Sequence, residues 1–324
     1  MDNSCKSCSS EQKSSCGSEQ KHSFSSAGAD AAMAQQEIAI TRSLSKIRNK
    51  ILVMSGKGGV GKSTVSVNLA LGLSQRGYRV GLMDVDLHGP DICRMLNLTG
   101  SLQPPKNPTD LVPTLQYNDN LKVVSLEYMM KNRDDAIIWR GPLKIQAIRQ
   151  FVADMDWGEL DYLVVDAPPG TGDEPLSVAQ TITNVQALVV TTPQSLALAD
   201  VRKSLNFCKA VKMPIIGVVE NMSGFICPHC GQEVDIFSTG GGEKIAREFD
   251  VPFLGRVPMD PRIVVAGDTG NPNLAAGGDT PASNAFKGVV DAVIQRLPAD
   301  KSAGLNTFTP LNAGCDPNKC GCKS

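Results

Sequence analysis

Residues 51–64, ILVMSGKGGVGKST, restrict the fold more than any other stretch of the chain. An apolar strand pattern runs into a glycine-rich turn and then into a helical pattern. Gly56-x4-Gly61-Lys62-Ser63 has the spacing G-x-x-x-x-G-K-[ST] of a phosphate-binding loop, in the strand-then-helix context that such a loop needs. Glycines let backbone N–H groups curl around phosphate oxygens, and the following helix turns its positive N-terminal end towards the same anions. The expected binding stretch is Gly56, Lys57, Gly58, Gly59, Val60, Gly61, Lys62, Ser63 and Thr64. Lys62 is expected to reach the β- and γ-phosphates, and Ser63 to hold Mg²⁺. Lys57 is a second lysine that phosphate binding alone does not require.

The strand pattern of residues 51–55 recurs. RVGLMDVD, KVVSL, DYLVVDA, ALVVTT, PIIGVVE and PFLGRV are short apolar runs, and helical patterns follow most of them, at 62–76, 142–155, 174–183, 195–211 and 281–296. Short continuous apolar runs alternating with helices predict an α/β fold, a mostly parallel sheet flanked by helices on both faces. LVPTLQYNDNLKVVSL adds a local hairpin pattern. Residues 1–30 hold ten serines and three cysteines with almost no large apolar side chain, and residues 31–50 turn helix-like before the domain. We expect a flexible Ser/Cys-rich N-terminal tail over 1–46, one domain over 47–298, and a cysteine-bearing C-terminal tail over 299–324.

Charge narrows the function. Lys and Arg number 32 against 33 Asp and Glu, and aromatic residues make up 5%. No basic excess or base-stacking platform points to nucleic acid. No apolar run approaches the ~18 residues that span a bilayer, and MDNSCKSCSS lacks the apolar core of a secretory signal. Neither a nucleic-acid nor a membrane partner is expected. The ten cysteines then belong to a reducing, cytoplasmic setting, where clusters mean metal or redox chemistry more often than disulfides.

GKGGVGKST resembles the deviant Walker A loop of the ParA, MinD, ArsA and nitrogenase-iron-protein group of P-loop ATPases. The resemblance implies that Lys57 crosses a dimer interface to the partner's nucleotide. A cation delivered there stabilises charge on the transferring phosphoryl group, as an arginine finger does. It also implies that Asp86, beyond Asp84 in GLMDVDLHGPD, positions the attacking water or a Mg²⁺-bound water. Asp166 ends the run LDYLVVD, where a Walker B aspartate meets Mg²⁺, and residues 168–172 follow as a switch loop. Asn221 matches the group's adenine-contacting asparagine, whose amide both donates and accepts and so favours ATP.

ENMSGFICPHCGQEVDIFSTGGGEKIAREFDVPFLGRVPMDP, with IIWRGPL and DAPPGTGDEPLS, resembles the Mrp/ApbC family of iron–sulfur carrier ATPases over roughly residues 47–297. Cys227 and Cys230 form two thiolate ligands, half of the four that a cubane cluster or a tetrahedral Zn²⁺ site takes. A two-fold homodimer doubles them, so the cysteine pair and Lys57 require the same assembly. The expected function is ATP-hydrolysing carriage of a 4Fe–4S cluster to apo iron–sulfur proteins. A zinc-stabilised nucleotide switch, a thiol redox pair and a MinD/ParA-type positioning ATPase are the alternatives. His229, between the cysteines, is read as solvent-facing, and Cys93 and Cys208 as core residues. Cys5-x2-Cys8 with Cys16 has the look of a ferredoxin-like ligand run and is the candidate for a second cluster, with free thiols or zinc as the alternatives.

Overall fold

The structure, a computed structural model, describes residues 26–86, 89–99, 107, 110–129, 141–227, 230–272 and 279–299. Helix α1 (Ser26–Ser45) leads into β1 (Ile47–Ser55), and α2 (Lys62–Gln75) into β2 (Val80–Asp84). A short helix α3 (Ile92–Met95) precedes the antiparallel pair β3 (Leu115–Asn118) and β4 (Leu121–Ser125). Then follow α4 (Gly141–Ala153), β5 (Leu160–Asp166), α5 (Asp173–Thr181), β6 (Val185–Thr191), α6 (Ser195–Ala210) and β7 (Ile215–Glu220). A small hairpin of β8 (Phe225–Ile226) and β9 (Glu233–Val234) interrupts the alternation before α7 (Gly241–Glu248), β10 (Phe253–Arg256), α8 (Pro261–Asp268) and α9 (Pro281–Arg296).

Eight strands form one sheet in the order β10-β7-β6-β1-β5-β2-β4-β3, and every pair in it except β3–β4 is parallel. The central strands are covered on both faces, which is why they read as unbroken apolar runs. On one face Ile40 and Leu44 of α1, Phe151 of α4, Val178 of α5, Val201 of α6 and Ile245 of α7 close the core. On the other, Leu69 and Leu73 of α2, Ile92 of α3 and Phe286 of α9 do so. The expected α/β architecture and the LVPTLQYNDNLKVVSL hairpin are both present.

The structure differs from the sequence reading in several elements. Residues 47–50 extend β1 because Ile47 and Lys50 pair in register with Leu160 and Leu163 of β5, and that pairing overrides the helix-like local pattern. Helix α1 lies within the stretch expected as a tail, yet its C-terminal half packs on the domain through Ile40 and Leu44. Helices α7 and α8 were not foreseen. Cys5, Cys8, Cys16, His229 and residues 300–324 lie outside the described residues.

Trp157 anchors the core beneath β2. It is fully buried, its Nε1 donates to Phe151 O at 2.8 Å, and it packs where Gly81 has no side chain. Trp157→Ala is expected to cost ~3–5 kcal/mol of stability, the range for truncating a buried aromatic side chain, and urea titration would read it.

Candidate functional site

Ser55, Asp84, Asp166, Thr191 and Glu220 end β1, β2, β5, β6 and β7. They therefore share the carboxyl edge of the sheet, where ligands bind in open α/β folds. The loop from Gly56 to Gly61 rises from β1 into α2. Gly59 and Gly61 take the left-handed backbone, with φ of +77° and +78°. Gly61 caps α2 without a side-chain hydrogen bond, an arrangement that lets first-turn N–H groups of α2 serve an anion. A Cβ on Gly61 would also lie 2.2 Å from Asn221 Nδ2. Gly61→Ala is expected to weaken ADP binding by roughly one to two orders of magnitude, the equivalent of ~1–3 kcal/mol of left-handed strain. Calorimetric titration would measure it.

Lys62 is buried, with Nζ 2.7 Å from Asp166 Oδ2 and 3.7 Å from Asp86 Oδ2. Ser63 Oγ donates to the same Asp166 oxygen at 2.7 Å, and Ser66 Oγ donates to Oδ1 at 2.6 Å. Asp84 lies on the strand next to Asp166. Burial pushes its carboxyl well above the usual carboxylate range, the Asp166 charge adds to that push, and Lys62 opposes it. The Asp86 N–H and Ser125 Oγ both donate to Asp84 at 3.1 Å. The Ser63 hydroxyl and the Asp166 carboxylate are hard oxygen donors of the kind Mg²⁺ takes. The Lys62 ammonium holds the positive charge beside them.

Lys57 stands apart from this network. Its carbonyl accepts from Ser55 Oγ at 2.9 Å, which fixes the backbone, while its half-buried ammonium has no hydrogen bond or ion pair among the described residues. The Gly170 N–H donates to Ser55 O at 2.9 Å, so the loop over 168–172 is tied to the strand that feeds the phosphate loop.

Asn221 is buried just beyond β7. Its backbone N–H donates to Thr191 O at 2.7 Å and its Nδ2 donates to Val60 O at 2.9 Å. A cleft of 620 Å³ opens beside it and shares Thr64, Asp91 and Met95 with the 270 Å³ cavity over the phosphate loop. Arg94 stands on one side of the cleft, and Pro258, Met259 and Ile263 on the other. Its size and its continuity with the loop suit a nucleoside. Sequence reasoning missed these walls, and also Ser66, because no local pattern links residues 91–95 to 258–263.

Cys227 and Cys230 sit at the tip of the β8–β9 hairpin, Cys230 exposed and Cys227 partly so. The Cys227 N–H donates to Gln232 O, and the Gly231 N–H to Cys227 O, both at 2.9 Å. Gly231, at φ +70°, permits that tight turn. Ile226, Val234 and Ile236 expose apolar side chains on the same hairpin. Among the described residues, no group of three or more His, Cys, Asp or Glu side chains is placed to hold a metal. Cys93 and Cys208 are buried as expected, and burial pushes the Cys208 thiol up to about 12. The hairpin joins the cleft directly, since Phe225 pairs with Met259 and the Met259 N–H donates to Gly224 O at 2.8 Å.

A family model described as ParA: NUBPL iron-transfer P-loop NTPase matches residues 46–294. The chain is 46% identical over 270 residues to the iron-sulfur cluster carrier protein of Methanocaldococcus jannaschii, covering 83% of this chain and 92% of that one. It is 47% identical over 238 residues to the cytosolic Fe-S cluster assembly factor CFD1 of Saccharomyces cerevisiae, covering 72% and 81%. Among solved structures, a nucleotide-binding protein of Archaeoglobus fulgidus in complex with ADP aligns with a TM-score of 0.64 at 36% identity, over 72% of this chain and 91% of that one. The cell division ATPase MinD of Pyrococcus furiosus shares the fold, with a TM-score of 0.55 at 23% identity over 76% and 99%. These likenesses bear out the resemblance and the architecture read from the sequence.

Proposed function

We propose, from the premise that this chain belongs to the ParA-type NUBPL iron-transfer P-loop NTPase family, that it is a cytoplasmic, homodimeric ATPase that carries a 4Fe–4S cluster to apo iron–sulfur proteins. The observation that carries this reading is the placement of one complete phosphate loop and one half-complete thiolate site on adjoining parts of the same chain. Each protomer presents Cys227 and Cys230 on an exposed hairpin with apolar neighbours. A two-fold axis through that face brings four thiolates together, as a cubane requires. The relatives named for iron–sulfur cluster carriage and assembly favour this over a positioning ATPase acting at a membrane or on nucleic acid.

The phosphate loop and the α2 N-terminus bind the phosphates, and Asn221 contacts the adenine. Ser63 and Asp166 would hold Mg²⁺, which would supply positive charge to offset that of the phosphates. Lys62 turns from Asp166 to the β- and γ-phosphates. Asp86 orients the attacking water. Lys57, whose ammonium makes no hydrogen bond or ion pair among the described residues of its own chain, acts on the partner's nucleotide. Hydrolysis is thereby tied to the same dimer that holds the cargo. Cys5, Cys8 and Cys16, outside the described residues, are proposed as ligands of a second cluster.

Anaerobic reconstitution with iron and sulfide tests the reading. A shortened chain spanning residues 31–300 is expected to carry about four irons and four sulfides per dimer, and the full chain more if the N-terminal cysteines hold a second cluster. Stoichiometric zinc without acid-labile sulfide, in protein purified without oxygen, would overturn the cluster reading in favour of a zinc site.

A further inference from the structure

Glu220 ends β7 as a fully buried carboxylate, one residue before Asn221, and the chemistry described above does not use it. Its Oε1 accepts from Ser223 Oγ at 2.5 Å and from the Gly240 N–H at 2.9 Å, and its Oε2 accepts from the Gly242 N–H. Arg256 Nε lies 3.7 Å from Oε1. The Ser223, Gly240 and Gly242 donors come from the two roots of a single excursion of the chain. On the way out, Asn221 and Met222 line the nucleoside cleft, Ser223 follows, and β8 leads to Cys227. On the way back, the chain runs from Cys230 through β9 to the glycine turn that opens α7.

That turn is shaped to close over the carboxylate. Gly240 has a φ of +81°, and a Cβ on Gly242 would lie 3.1 Å from Glu220 Oε2 and 3.0 Å from Thr191 Cγ2. The carboxylate also satisfies first-turn N–H groups of α7 that have no partner within the helix. A carboxylate accepts at both oxygens, whereas one end of an amide donates. Glutamine here would therefore set a donor against either the Gly242 N–H or the Ser223 and Gly240 donors.

We propose that Glu220 is a positioning residue: it ties both roots of the cysteine hairpin to Asn221, so that nucleotide binding and metal holding at Cys227 and Cys230 are thermodynamically linked. The proposal rests on the reading of those two sites given above. The Asn221 amide is engaged by Val60 O, and Met222 stands in a left-handed conformation at φ +54°. An adenine at Asn221 draws the amide away from Val60. The next polar group along the chain is Ser223, held by Glu220, so the displacement passes to the hairpin root instead of dissipating in a loose loop. Linkage of this kind is reciprocal, and bound metal alters nucleotide affinity by the same factor.

The experiment compares the unmodified chain with Glu220→Gln by two readouts, each with and without saturating ADP. One is Co²⁺ affinity, followed by thiolate-to-cobalt absorption. The other is the iodoacetamide alkylation rate of Cys230 in metal-free protein. In the unmodified chain ADP is expected to change both by about fivefold or more, the lower end of typical coupling. In Glu220→Gln both ligands still bind, and each factor falls close to one. An unchanged factor in the variant, or no effect of ADP on either readout in the unmodified chain, overturns the proposal. Co²⁺ absorption that survives Cys227→Ser would instead sink the metal reading of the hairpin, and the alkylation readout would still decide the linkage. If Glu220→Gln does not fold, Ser223→Ala removes one donor and leaves the carboxylate. Its coupling factor is expected to fall, and an unaltered one overturns the proposal.

Discussion

Lys57→Ala is expected to bind ADP and ATP nearly as the unmodified chain does while its ATP turnover falls by ~10³-fold. A cation delivered in trans contributes roughly 10³–10⁵ in rate where it is a bidentate arginine, and a lysine without the guanidinium fork belongs at the lower end. The expectation comes from the division of labour between the two lysines. Lys62 lies within 4 Å of both Asp166 and Asp86, whereas Lys57 has no partner among the described residues of its own chain. Lys62→Ala should show the opposite pattern, losing nucleotide affinity itself. Steady-state phosphate release beside equilibrium nucleotide titration separates the two variants, and normal turnover in Lys57→Ala would refute the role in trans.

Cys227→Ser, made in both copies of a dimer, is expected to reduce hairpin-bound iron in the 31–300 chain from about four per dimer to near zero, because half of the thiolate set is lost. ADP binding should persist, since neither cysteine lines the cleft or the phosphate cavity. Cys208→Ser is the control. That thiol is buried against Met54 Sδ at 3.5 Å and pushed up to about 12 by burial, so it is no ligand. Its substitution should leave iron content unchanged. Iron and acid-labile sulfide analysis reads all three proteins, and full iron in Cys227→Ser would remove the hairpin from the account.

What the sequence revealed, and what it hid, follows from how local each feature is. The phosphate loop was legible because its defining residues, Gly56, Gly61, Lys62 and Ser63, all fall within one short stretch of chain. The strands were legible because burial on both faces leaves no polar alternation to confuse them. Helix α8 escaped because PRIVVAGD is only eight residues long, buries none of them and exposes Val264 and Val265, so no core-facing run marked it. Helix α7 escaped behind its opening glycines. Asp166 was found, but its partner Ser66 was not, since the pairing spans a hundred residues of sequence. Glu220 left one signal, a single acid closing the apolar run IIGVVE, and its meaning lay in Ser223 and in two glycines, Gly240 and Gly242, about twenty residues on.

The crowding around Asp166 bears on what the chain can sense. Lys62, Ser63 and Ser66 all contact its two oxygens, and the Lys62 ammonium neutralises the Asp166 charge. Under the proposed function, a nucleotide arriving alone recruits Lys62 only by stranding a buried carboxylate, which is strongly unfavourable. A divalent cation arriving alone must displace that ammonium from Asp166 at 2.7 Å and leave it only the more distant Asp86, 3.7 Å away. Each visitor removes the other's penalty. On that reading the site favours joint arrival of nucleotide and cation over either alone, a threshold that would keep a carrier from discharging its cargo on a stray signal.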